Sequence, residues 1–306
     1  MPPAKRLEVE IDGLRLSLSN LDKVLYPEAG FTKGHVIDYY TRVAPAVLGH
    51  LRDRPLTLKR YPNGVDGGHF YEKQCPSHAP EWVQTTRVDS SRARDGKIDF
   101  CLANDLPTLV WLANLADLEL HTSLALASDY RSPTVIAFDL DPGPPATVVE
   151  CAEVAIELRM IFEHLGMQAF PKTSGSKGMQ VYVPLNTPSS YDQTRPFSRA
   201  LAELLERRNP KLVVSEMKKS LRGGKVFVDW SQNTEFKTTV CVYSLRARPE
   251  PTVSTPLTWD EVENVTVSRD ADDLVFTSAD VLERIAEHGD LFAPVLELHQ
   301  ELPDSL

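Results

Sequence analysis

Two acids separated by a single residue close an apolar run in this chain, Thr134-Val135-Ile136-Ala137-Phe138-Asp139-Leu140-Asp141-Pro142-Gly143. Side chains alternate along a strand, so Ile136, Phe138 and Leu140 share one face and Asp139 and Asp141 the other, with Cα atoms about 6.6 to 7 Å apart. Like charges do not converge there for stability. At a strand's end they can hold divalent cations, and two cations about 3.5 to 4 Å apart clamp the attacking and leaving oxygens of phosphoryl transfer. A third acid, Asp229, stands in a second apolar strand, Lys225-Val226-Phe227-Val228-Asp229-Trp230. The plainer alternatives are a solvated strand terminus for the first pair and an arginine's partner for Asp229.

Phosphate chemistry has candidates too. Thr173-Ser174-Gly175-Ser176-Lys177-Gly178 joins two strands with small residues and one lysine, where backbone N–H groups can cradle an anion. It lacks the G-x-x-x-x-G-K-[ST] spacing and leads to a strand, which argues against an ordinary nucleotide-hydrolysing P-loop; a flexible turn is the alternative. Lys218, Lys219, Arg222 and Lys225 precede the Asp229 strand, and Arg246 and Arg248 follow the next one. Leu58-Lys59-Arg60-Tyr61 and His69-Phe70-Tyr71-Glu72-Lys73 interleave aromatics with cations around a turn, a mixture that suits base stacking with phosphate neutralisation and equally suits sheet packing. His121 alternates away from Leu118 and Leu120, so it can face the same cleft as the acids or serve as a hydrogen-bonded structural residue.

The elements that must position these residues are legible in part. Leu7 to Ile11 and Leu14 to Leu18 alternate around Asp12-Gly13, a two-residue hairpin. Ser19 or Asn20, and then Thr32, can cap two helices, a short one and a longer one carrying Val36, Ile37, Tyr40, Val43, Val47 and Leu51. Strands are expected near 56–61, 69–73, 82–88 and 98–103, then a helix near 105–117 and an alternating segment 118–126. From 134 the pattern is strand, helix to a stop at Gly166, strand 179–184 and helix 191–208. Strands near 226–230 and 238–243 are expected to complete a second sheet, with helices 258–264 and 278–287 at the end. This describes an α/β (α+β) chain of two lobes with mixed sheets flanked by helices, residues 1–125 and 126–306.

Composition narrows the class. The 306 residues are 42% hydrophobic and 25% charged, with no apolar run near the ~18 residues of a spanning helix and no hydrophobic leader after Met1-Pro2-Pro3-Ala4-Lys5-Arg6, so a cytoplasmic protein is expected. Cys75, Cys101, Cys151 and Cys241 form no C-x-x-C pair and read as unpaired thiols; Cys75 and His78 have ligand-like spacing without a second pair to complete a zinc site. The net charge of −10 looks wrong for a nucleic-acid binder, but residues 249–306 hold 14 acids against Arg269 and Arg284. Residues 215–248 carry seven basic side chains against three acidic.

Taken in order, these motifs resemble the polymerase domain of bacterial ligase D, an end-joining repair polymerase within the archaeo-eukaryotic primase superfamily. Asn20 to Pro27, Leu56 to Arg60 with Phe70 to Lys73, Leu118 to His121, Phe138 to Gly143, Thr173 to Gly178, Lys218 to Arg222, Val228 to Asn233 and Tyr243 to Arg246 carry the likeness across nearly the whole chain. The resemblance implies that Asp139, Asp141 and Asp229 ligate two Mn²⁺ or Mg²⁺ ions. It implies that His121, Ser174, Lys177, Arg222, Gln232 and Arg246, with Lys59, contact the incoming nucleotide. Phe70 and Tyr71 would stack on the template, and Lys23 and Lys33 would hold a downstream 5′-phosphate. Where many relatives carry His after the Ser-Gly loop, this chain has Gln180, which can donate to a phosphate but cannot titrate.

The expectation is therefore a template-directed nucleotidyltransferase that adds nucleotides, ribonucleotides by preference, to 3′ ends at DNA gaps or breaks. Its implied partners are gapped or broken DNA, NTPs and dNTPs, Ku and a DNA ligase, and its implied place is the bacterial nucleoid. Two rivals stand beside it. A haloacid-dehalogenase-like phosphatase also uses D-x-D at a strand end, but wants Thr or Val where Gly143 stands. A non-catalytic DNA-end adaptor would have no use for three acids.

Overall fold

Where the chain must reverse, its turn residues dictate how. In the computed structural model, which describes residues 6–90 and 95–303, strands β1 (Arg6–Ile11) and β2 (Leu14–Ser19) pair around Asp12-Gly13, both with positive φ, 50° and 79°. That is the conformation a two-residue hairpin turn requires. Residues 1–5, most of the stretch read as lacking a leader, lie outside the described residues. No helix follows at 19–23, contrary to expectation. Asn20 takes φ 54° and accepts a bond from the Lys23 N–H, so the chain turns tightly into the paired strands β3 (Val24–Tyr26) and β4 (Phe31–Thr32). Thr32 does cap α1 (Lys33–Leu51), accepting from the His35 N–H while the His35 ring accepts from Thr32 N–H.

Then come β5 (Leu56–Arg60), β6 (Phe70–Glu72), β7 (Thr85–Asp89), β8 (Lys97–Cys101), α2 (Leu106–Asn114), β9 (Asp117–Ser123), β10 (Ala125–Leu126) and β11 (Asp129–Pro133). The second half runs β12 (Val135–Pro142), α3 (Val148–His164), β13 (Phe170–Thr173), β14 (Met179–Pro184), α4 (Tyr191–Arg208), β15 (Val213–Val214), β16 (Val226–Asp229), β17 (Thr238–Val240), α5 (Trp259–Ser268), α6 (Ser278–His288) and α7 (Pro294–Glu297). Two larger sheets result: four antiparallel strands in the order β17-β9-β5-β6, and five in the order β13-β14-β12-β16-β15, antiparallel except for β15 with β16.

Each sheet has its own core, and β12 serves both. Ile136, Phe138 and Leu140 are buried with Val154, Leu158 and Phe162 of α3, while Val135 and Ala137 on the opposite face join Leu56, Leu58, Leu118 and Leu120 and the helices α1 and α2. Burying each large side chain is worth about 1.5–3 kcal/mol, so the register of β12 is fixed from both sides. Its alternation then delivers Asp139 and Asp141, on the face of Val135 and Ala137, to the strand's open end.

Residues 238–240 do not complete the second sheet as expected. They cross to the first, pairing Thr238 with Ser123, Thr239 with Thr122 and Val240 with His121. The chain's end is likewise shared: Val262, Val265 and Leu274 enter the second core, and Val281, Phe292 and Val295 the first. Two of the four cysteines are also paired, against expectation. The segment after β6 runs back along β8, where Cys75 N–H bonds to Asp99 O, and this places Cys75 in a disulfide with Cys101, their Cα atoms 5.0 Å apart. Strand packing, not C-x-x-C spacing, brings them together. Cys151 and Cys241 are free and buried. Among the described residues no helix is long and apolar enough to cross a membrane.

Candidate active site

The open end of β12 faces β16 on one side and β14 on the other, so each acid inherits its neighbours from the ladder. Asp139 lies directly opposite Asp229 across the β12–β16 pair and opposite Gln180 across the β12–β14 pair. The Gln180 amide donates to Asp139 Oδ1 at 3.1 Å. Burial, with Asp141 and then Asp229 adding repulsion that outweighs the Gln180 bond, lifts the Asp139 carboxyl to about 7. Asp141 is raised in the same direction by desolvation and by Asp229, against the lowering influence of Arg222 and Arg246. Asp229 is turned away into local bonds: Oδ1 accepts from the Ser231 N–H at 2.9 Å and Oδ2 from the Gln232 amide at 2.9 Å.

These acids fit a divalent cation chemically, since a cation would relieve the repulsion that protonates them. Geometrically they stand open. Among the described residues no group of three or more His, Cys, Asp or Glu is gathered tightly enough to ligate an ion, and Asp229 must exchange its Ser231 and Gln232 bonds to join the other two.

Across from the acids stands a wall of cations. A cavity of about 360 Å³ is lined by Tyr71, His121, Asp139, Asp141, Ser174, Lys177, Gln180, Gln232 and Arg246. The loop between β13 and β14 is held there by close packing: a Cβ on Gly178 would sit 2.0 Å from Leu140 O, and one on Gly143 1.9 Å from Arg222 O, so neither position admits a side chain. Ser174 Oγ accepts from the Gly178 and Ser176 N–H groups and so closes its own loop. Arg246 donates from Nη1 to Ser174 O. Arg222 does not line this cavity; its guanidinium lies 3.7 Å over the Phe227 ring and reaches Asp141 at 4.0 Å. A larger, mostly apolar cavity of about 560 Å³ lies on the far side of the same loop, sharing Ser176 and Lys177 but none of the three acids.

Lys59 does not line the cavity; it is held on β5 by Glu119, a residue whose part the sequence reading missed. Glu119 is 2% exposed; it accepts from Lys59 Nζ at 3.0 Å and Tyr61 OH at 3.0 Å, pairs with His121 Nε2 at 3.1 Å, and lies 3.3 Å from Arg246 Nε in an ion pair without hydrogen-bond alignment. Burial would raise its carboxyl, but His121, Arg246 and Lys59 outweigh that and hold it well below the usual range. Its signal was present: in β9 Glu119 and His121 share the face opposite Leu118 and Leu120. Lys172, fully buried, was also missed; it donates to Ser254 Oγ at 2.6 Å and Val240 O at 3.1 Å, and burial lowers it to about 7.

Tyr71, which lines the cavity, is 58% exposed and Phe70, which does not line it, 43%, whereas Tyr61 is buried, which separates the stacking candidates from the packing residue. Lys33 opens α1, with its N–H bonded to Lys23 O, and the Gly34 and His35 N–H groups are likewise taken by Leu21 O and Thr32 Oγ1. The helix terminus therefore offers an anion little beyond its dipole. The two ammonium groups remain. Lys33 Nζ donates to Asn114 O and Ser19 Oγ, Lys23 Nζ to Pro62 O and Asn63 Oδ1, and each keeps one of its three donors. Burial, with Lys23 nearby, lowers Lys33 to about 8.

Residues 32–292 match the family model of the LigD primase-polymerase domain. The chain belongs to this family. Its members are nucleotidyltransferases of the archaeo-eukaryotic primase type, and the mixed α/β fold agrees. The chain is 43% identical over 283 residues to the multifunctional non-homologous end joining protein LigD of Mycolicibacterium smegmatis, covering 92% of this chain and 36% of that protein. It is 32% identical over 276 residues to the bifunctional non-homologous end joining protein LigD of Bacillus subtilis, covering 90% of this chain and 43% of that one. It thus spans less than half the length of either. Among solved structures it matches the polymerase domain from Mycobacterium tuberculosis ligase D in complex with DNA, with a TM-score of 0.85, 40% identity, and 94% and 99% of the two chains covered.

Proposed function

We propose that this chain is a DNA repair polymerase that transfers nucleotides, ribonucleotides by preference, to 3′ ends at gaps or double-strand breaks during non-homologous end joining. The observation that carries the reading is the single cavity in which Asp139 and Asp141 face His121, Lys177 and Arg246. Cations opposite carboxylates suit a nucleoside triphosphate whose phosphates meet the basic wall while its reacting phosphorus lies toward the acids. Asp139, Asp141 and Asp229 would hold two Mn²⁺ or Mg²⁺ ions, which supply Lewis-acid stabilisation of the developing charge. Lys59, His121, Lys177 and Arg246 bind and orient the triphosphate. Ser174 and Gln232 stand at the cavity for the sugar. Phe70 and Tyr71 offer exposed rings for a template base.

The relatives' names and the solved DNA complex support DNA as the substrate and end joining as the setting; Ku, a DNA ligase and the nucleoid enter this reading through the family resemblance alone. The phosphatase alternative fits poorly, because β12 is flanked on both sides by antiparallel strands and not set in a doubly wound parallel sheet. The test is incorporation of a labelled nucleotide on a gapped duplex with a downstream 5′-phosphate, with and without Mn²⁺. Metal-dependent, template-matched extension is expected; DNA binding without extension would leave only the adaptor reading.

A further inference from the structure

We infer that Glu119 is a positioning residue for the incoming nucleotide: a buried carboxylate that holds Lys59, His121 and Arg246 where a triphosphate will meet them. This rests on reading the cavity as the nucleotide site. The three cationic or titratable side chains come from β5, β9 and the segment after β17, and Glu119 pairs with all of them. Lys59 and Arg246 are long and flexible, and without an acid between them they would repel each other and sample many rotamers. Glu119 also accepts from the Ala247 N–H at 3.1 Å and from Tyr61 OH, so the carboxylate is itself fixed by backbone and ring. Arg246 passes the constraint on, reaching Glu119 with Nε and Ser174 O with Nη1, which ties the basic wall to the phosphate-cradling loop.

Glu119 also selects the state of His121. With Nε2 engaged by Glu119, Nδ1 is the ring's remaining polar atom, and it donates to a phosphate oxygen only as imidazolium. Burial above all, with Arg246 and Lys59, holds the ring below the usual histidine value; Glu119 on the same strand works the other way, and from β6 the Tyr71 ring packs edge-on at 5.9 Å. A neutral residue at 119 leaves burial, Arg246 and Lys59 opposing the proton without the adjacent carboxylate that now works against them.

The test compares the unmutated protein with Glu119→Gln and Glu119→Asp on a gapped duplex with Mn²⁺ and a ribonucleoside triphosphate, measuring turnover, the pH profile, and binding stoichiometry with a fluorescent nucleotide. Glu119→Gln is expected to lower kcat at least tenfold while still binding one nucleotide per folded chain, and to move the alkaline fall in kcat/KM to lower pH by about one unit. Glu119→Asp is expected to recover part of both. Unchanged kcat and pH profile would overturn the assignment. So would a loss of kcat that merely tracks a loss of binding stoichiometry, because that is what a structural residue gives. An unmutated protein that incorporates no nucleotide would instead sink the polymerase reading itself.

Discussion

The two walls of the cleft solve the problem of buried charge in opposite ways. On the β5–β9 side a counter-charge is already in place, with Glu119 within 3.3 Å of Lys59, His121 and Arg246. On the β12–β16 side acid stands opposite acid in the ladder, with Asp229 held by Ser231 and Gln232, and Asp139 is pushed up to about 7 by burial and by Asp141 and Asp229. The first wall is finished; the second is in want of cations. A preset arrangement costs little reorganisation when substrate arrives, whereas an unfinished one ties activity to a second ligand. That contrast can be broken or sharpened by experiment.

The largest effect is expected at the unfinished wall. Asp139→Ala or Asp141→Ala removes ion-binding capacity worth several kcal/mol to the transition state, so extension should fall about a thousandfold or more while DNA binding holds or tightens. Full activity in either variant ends the two-ion account; Asp229→Ala should lose less, since the other two acids remain. Next comes the outlying anion pocket, where the double change Lys23→Ala with Lys33→Ala should erase the preference for a downstream 5′-phosphate over a 5′-hydroxyl, by tenfold or more at fixed salt. Titrations showing no such preference in the unmutated protein would remove that pocket.

A smaller effect is expected from the sugar. Ribonucleotides should exceed deoxynucleotides in kcat/KM by a factor near ten, the ~1–3 kcal/mol of a polar group left unpaired when the 2′-hydroxyl is missing, and equal values would refute it. The smallest is a pH effect. Lys33 is lowered to about 8, so in the free protein it is charged below that value and neutral above it. The 5′-phosphate preference should therefore weaken severalfold between pH 7 and pH 9, and Lys33→Arg should keep it flat over that range.

What the sequence disclosed follows the same division. Strand periodicity is local, so Asp139 and Asp141 on one face, and Ile136, Phe138 and Leu140 on the other, could be read without the fold. The hairpin at Asp12-Gly13 and the Thr32 cap were equally plain, because turn and cap chemistry act over two or three residues. The family resemblance named Gln232, Lys23 and Lys33, which spacing alone would not. Long-range pairing was opaque. The Cys75–Cys101 bond, the buried ammonium of Lys172 and the convergence on Glu119 all depend on which strands lie side by side. The short helix expected after a Ser19 or Asn20 cap failed for a local reason, since a positive φ at Asn20 decided for a turn.

The crossing of Thr238–Val240 to the edge of β9 has a consequence for how the protein is made. Strand β9 is complete at Ser123, but its edge partner emerges from the ribosome some 117 residues later, about 6–23 s at 5–20 residues per second. Throughout that interval the nascent chain displays an unpaired strand edge beside a nearly finished apolar sheet, the condition in which neighbouring chains add strands to one another. A polypeptide stalled just after Asp229 would already carry all three acids and yet have no closed cleft to put them in.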